Sequence, residues 1–143
     1  MGLLSRLLKG GDPPVSDWTD NVLGRLVWSD DEDGWVGAHQ GLSIVLSRGP
    51  EPQPEESVVR YARERLSDPG WMAATLEQAK RDAIAEYGQQ LGQEIERLQF
   101  ELINFYARKG QLRIIADLSG GERDRSWRIE YEGKTCEGIG FDT

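Results

Sequence analysis

Gln99-Phe100-Glu101-Leu102-Ile103-Asn104-Phe105-Tyr106, then Ala107-Arg108-Lys109-Gly110, then Leu112-Arg113-Ile114-Ile115-Ala116-Asp117-Leu118, is the stretch that decides the fold. Ile95, Leu98, Leu102 and Phe105 recur at helical spacing, yet residues 99–106 are rich in the aromatic and branched side chains that strands favour. The Gly-containing turn and the apolar run beyond it decide for strand across 94–109, because the two segments then make a hairpin.

Downstream the same pattern repeats. Ser119 to Ser126 forms a turn, Trp127-Arg128-Ile129-Glu130-Tyr131-Glu132 alternates strictly, and Gly133-Lys134 leads into Thr135-Cys136-Glu137-Gly138-Ile139-Gly140-Phe141. Upstream, Val22 to Trp28 alternates, Asp30-Asp31-Glu32-Asp33-Gly34 supplies a polar turn, and Trp35 to His39 and Leu42 to Ser47 complete a three-strand meander. Between the meanders, Val58, Val59, Ala62 and Leu66 mark one helix. Met72, Leu76, Ala79, Ala83 and Tyr87 mark a second, fraying near Gly88 and Gly92. Asp68 is expected to cap the second helix with Pro69 in its first turn. The expected fold is α+β: an antiparallel sheet of about seven strands, ordered three strands, two helices, four strands, with the helical pair on one face.

With 143 residues the chain holds one domain's worth of material. Residues 1–14 read as a tail: Leu3, Leu4, Leu7 and Leu8 form an apolar stripe before the Gly10-Gly11-Asp12-Pro13-Pro14 joint, and residues 15–143 form the domain. Two turns of helix with two basic residues are too little for stable interfacial membrane binding. The net charge is −8 and the acidic excess runs through the whole chain, which argues against phosphate backbones as partners. A single Cys136, no export signal and no long apolar run predict a cytoplasmic protein without integral membrane association.

The strand Asn21-Val22-Leu23-Gly24-Arg25-Leu26-Val27-Trp28 with Trp35-Val36-Gly37, and the closing segments Ile103-Asn104-Phe105-Tyr106 and Ile139-Gly140-Phe141-Asp142, resemble small bacterial α+β domains of unknown function. The resemblance covers most of residues 18–143 and implies a strand meander, a helical pair and a second meander. It implies no functional residue; some domains of this general kind neutralise toxins.

Several short motifs are decoys. Leu118-Ser119-Gly120-Gly121-Glu122 imitates a nucleotide-binding signature and Gly133-Lys134-Thr135 the end of a phosphate loop, but Arg128 stands where that loop needs its first Gly. Ser29, Asp31, Asp33 and Gly34 have part of a calcium-loop spacing, yet Gln40 occupies the place of the bidentate Glu. One His and one Cys cannot build a zinc site of the usual kind, and His39 has no nucleophile elbow to serve. Glu130, Glu132 and Glu137 read as solvated strand carboxylates rather than an acid–base pair. No catalytic, cofactor or metal residue is assigned.

What remains is an interaction surface. Trp18 and Trp35 beside Asp30, Asp31, Glu32 and Asp33 combine aromatic anchors with acidic steering groups, which suits a basic protein partner, as a neutralising protein would have. The rival reading is a small metabolite- or cation-binding domain, or a minor enzyme, built on clustered carboxylates. Self-association through the terminal strand is the third.

Overall fold

A computed structural model describes residues 17–49 and 53–143; the expected tail at 1–14 lies outside the described residues. Eight strands form one sheet in chain order: β1 (Asp17–Asp20), β2 (Gly24–Ser29), β3 (Gly34–His39), β4 (Leu42–Ser47), β5 (Gln99–Arg108), β6 (Gln111–Ser119), β7 (Ser126–Glu132) and β8 (Thr135–Asp142). Two helices, α1 (Glu56–Ser67) and α2 (Trp71–Glu96), lie between β4 and β5. The α+β class and the strand–helix–strand order agree with the sequence.

The differences have physical causes. The described sheet has eight strands; β1 escapes a sequence reading because four residues bounded by Asp carry no apolar alternation. The sheet is not wholly antiparallel. β4 and β5 pair in parallel, with Ile44 opposite Ile103 and Leu46 opposite Phe105. Tight turns force antiparallel neighbours, whereas the two-helix crossover brings the chain back to the end where β4 began. Within 94–109, Glu94 to Glu96 close α2 and the strand starts only at Gln99. Asp68 does not cap α2: it ends α1, and its carbonyl and Oδ1 accept the N–H groups of Trp71 and Gly70 in the turn between the helices.

Gly88 and Gly92 do not end α2 either, which runs on to Glu96. Lys80 Nζ donates to the Glu96 carbonyl at 2.9 Å. Sixteen residues of straight helix would hold these positions about 24 Å apart, beyond the reach of a lysine. α2 is therefore bent back between them.

The core follows one parity across the sheet. By register Trp28, Trp35, Leu46, Phe105, Ile114, Tyr131 and Cys136 form one continuous row across seven strands. Helix side chains meet that parity: Tyr61 stands edge-on to Phe105 at 6.0 Å, Trp71 to Tyr131 at 5.6 Å, and Tyr87 touches Trp127 and Phe141. The predicted stripe of α1, Val58, Val59, Ala62 and Leu66, is buried in full.

Turn chemistry agrees with the topology. Lys109 and Gly110 both take positive φ, 52° and 79°, as a tight two-residue hairpin between right-twisted strands demands. Gly37 is required for space, since a Cβ there would lie 2.6 Å from Leu26 Cδ2 and 2.9 Å from the Arg25 carbonyl.

Ile103 is fully buried at the parallel junction. Ile103→Ala should cost about 2–5 kcal/mol of unfolding free energy by chemical denaturation, whereas Val27→Ala, at a position 39% exposed, should change it by less than about 0.5 kcal/mol.

Candidate functional site

The acidic turn between β2 and β3 is built into a corner. Trp28 Nε1 donates to Asp30 Oδ1 at 2.7 Å, and the Arg48 guanidinium lies 5.1 Å from the Trp28 ring centroid while binding Asp33 Oδ1 at 2.8 Å. The Glu32 N–H donates to Ser29 Oγ at 3.3 Å and the Asp33 N–H to the Asp30 carbonyl at 3.3 Å. Asp30 and Asp33 are thus held by Trp28 and Arg48. Asp31 and Glu32 are exposed at the tip and have no ion-pair partner among the described residues.

The two tryptophans expected on this surface stand elsewhere. Trp35 is 3% exposed, its ring packed edge-on to Trp28 at 5.7 Å in the core. Trp18 is half-buried on β1 opposite Leu26, four strand residues from Asp30 and so about 13 Å along the sheet. The aromatic group that borders the acidic turn is Trp28. Its nearness to Asp30 is visible in sequence, but Arg48, fifteen positions beyond Asp33, is brought there only by the β3–β4 pairing.

Two buried carboxylates give no sequence signal at all. Glu94, 4% exposed, accepts Arg125 Nε at 2.9 and 3.0 Å and also accepts the Trp127 indole N–H. Hydrogen bonding from Arg125 outweighs the opposing desolvation and, with Trp127, brings the Glu94 carboxyl down to about 2. Asp20, 6% exposed, accepts the N–H groups of Val22 and Leu23 at 2.9 Å each and pairs with Arg63. Burial would raise its carboxyl, but the Arg63 bond and the two amides together hold it below the usual range. Each carboxylate joins distant segments: Glu94 ties the end of α2 to the β6–β7 turn, and Asp20 ties the β1–β2 turn to α1.

The carboxylates of β7 and β8 separate. Arg113 binds Glu137 and lies 3.7 Å from Glu132, whereas Glu130 is exposed opposite Gly138. His39 ends β3 at the Gln40-Gly41 turn, and burial pushes the Cys136 thiol up. Among the described residues no group of three or more His, Cys, Asp or Glu side chains is placed to hold a metal, and no helix is long and apolar enough to cross a membrane. Comparison with protein-family models, with curated proteins and with solved structures finds no match.

Because the Glu94 carboxyl titrates near 2 in the fold and near 4.5 when unfolded, its contribution is complete above pH 4.5 and is lost as the pH falls toward 2. The loss should be on the order of 3 kcal/mol in urea titrations between those limits, and Glu94→Gln should flatten that part of the profile. Glu94→Ala should cost about 1–3 kcal/mol at neutral pH, since it removes the acceptor of the part-buried Arg125 guanidinium and of the Trp127 indole N–H.

Proposed function

We propose that this chain is a non-catalytic cytoplasmic interaction domain that engages a basic protein surface through the acidic corner at Asp30, Asp31, Glu32 and Asp33. In this reading the helical pair covers the core parity of the sheet and acts as scaffold. That arrangement is supported by the helix–sheet aromatic contacts, which all fall on one parity. A scaffold of this kind positions a loop without taking part in recognition.

The observation that carries the proposal is the bracing of the turn. Trp28 and Arg48 hold Asp30 and Asp33 in place, so Asp31 and Glu32 are presented from a turn whose conformation is already determined. A braced acidic tip loses little conformational freedom on binding, and its charge, on a chain of net charge −8, accelerates encounter with a basic partner. The half-buried Trp28 ring beside it supplies apolar contact. Neutralisation of a basic toxin is one form that such binding takes. The lone Cys136 suits a reducing compartment.

The immobilised chain should retain a stoichiometric basic protein from native lysate at low salt and release it at high salt, as a charge-driven contact requires. The double variant Asp31→Lys/Glu32→Lys should lose that protein while keeping the circular dichroism and melting temperature of the wild type. An unchanged eluate from the double variant, or an empty one from the wild type, counts against the corner as the binding surface.

A further inference from the structure

β8 is the terminal strand of the sheet, and among the described strands it pairs with β7 alone. Its outer side presents backbone N–H and C=O groups along eight residues, whereas the opposite edge strand, β1, spans four. Long edges are ordinarily blunted by Pro, by Lys or by a bulge that twists them away. Thr135-Cys136-Glu137-Gly138-Ile139-Gly140-Phe141-Asp142 contains neither Pro nor a basic residue, and its single register shift leaves Gly138 to Asp142 in regular pairing.

Among the described residues the path inward from this edge is open on the glycine face, while α2 packs on the other face through Tyr87 against Phe141. A Cβ built on Gly138 or Gly140 meets nothing within 4 Å. Register sets Gly138 opposite Glu130 and Gly140 opposite Arg128. A groove of about 360 Å³ runs there, lined by Arg128, Glu130, Glu137 and Asp142 along the β8 backbone.

Charge selects the occupant. Arg128 pairs with Asp142 at 3.2 Å and Arg113 with Glu137 and Glu132, so both positive charges have acidic partners, although the buried Arg128 Nε has no hydrogen-bond acceptor among the described residues. Exposed Glu130 has no ion-pair partner among the described residues. A second copy of the chain would bring Glu130, Glu137 and Asp142 against themselves, on two bodies that each carry −8. An extended basic segment meets the opposite condition. Strands lie about 4.8 Å apart, so an added strand stands about 9.6 Å from β7 with only Gly138 between, a gap that a lysine side chain of roughly 6 Å closes onto Glu130.

We propose that the β8 edge is a docking site for an extended Lys- or Arg-containing segment of a partner polypeptide, which adds as a further strand and lays a basic side chain over Gly138 onto Glu130. The site lies at the far edge of the sheet from the Asp30–Asp33 corner and does not depend on it.

The probe is a capped heptapeptide of alternating Lys and Val, titrated into the isotope-labelled full chain. Amide shifts and slowed exchange are expected at Thr135–Asp142. They should vanish with a Glu/Val peptide, and with the Lys/Val peptide N-methylated on whichever alternate set of residues faces β8. Glu130→Lys, on an exposed strand position that tolerates change, should weaken binding about three- to tenfold, and Asp31→Lys/Glu32→Lys should leave it unchanged. The proposal is overturned by shifts centred on the Asp30–Asp33 turn, by equal affinity for both N-methylated forms, by indifference to Glu130→Lys, or by no shift at millimolar peptide. Because the corner variant and the edge variant are read separately, failure of one site does not decide the other.

Discussion

The parallel pairing of β4 with β5 is the constraint on which the rest depends. Each four-strand meander closes through short turns and could pair internally without help, but neither half alone covers its apolar parity. Setting Ile44 beside Ile103 and Leu46 beside Phe105 fuses the halves into one sheet, and parallel neighbours cannot be joined by a tight turn. The chain must cross over, and the crossover supplies α1 and α2. Tyr61 and Trp71 then seat on the row that the junction made continuous, and Tyr87 on Trp127 and Phe141 of the same parity.

Buried charge secures the places where that crossover enters and leaves. Glu94, with Arg125 and Trp127, fixes the return of α2 to the sheet, and Asp20, with Arg63, fixes α1 to the first turn. A carboxylate taken out of water gains little from its ion pair over an apolar contact of the same size, while loss of the arginine strands a buried charge. Such pairs therefore set position more than they add stability. The bend in α2 between Lys80 and Glu96 belongs to the same geometry, since the helix leaves Trp71 against Tyr131 and delivers Glu94 to Arg125.

Much of the fold was legible. Strict alternation from Trp127 to Glu132, the Lys109-Gly110 turn and the α1 stripe each have a local signature, and each element stands where its signature lies. β1 was not legible, because a four-residue edge strand borrows its conformation from β2. At Gly88 and Gly92 local propensity predicts fraying, whereas the helix continues to Glu96. Asp68-Pro69-Gly70 carries cap residues in helical order, yet the Asp68 carbonyl and side chain close a turn between two helices. Of the candidate surface, the acidic tip was visible as four consecutive carboxylates. The removal of Trp35 to the core was not, since a tryptophan next to a polar turn reads the same on either face until register is known.

The sequence by itself determined the class of fold, the positions of seven strands and two helices, and an acidic chain with a carboxylate-rich turn, because period, turn chemistry and charge are local properties. The tertiary structure alone decided that Trp28 and Arg48 brace that turn, that Glu94 and Asp20 are buried carboxylates met by arginines, and that β8 is an edge of the described sheet with Glu130 behind its glycines. Those facts depend on which elements become neighbours and in what register, and a one-residue shift of a strand's register would send its side chains, Trp28 and Glu130 among them, to the other face.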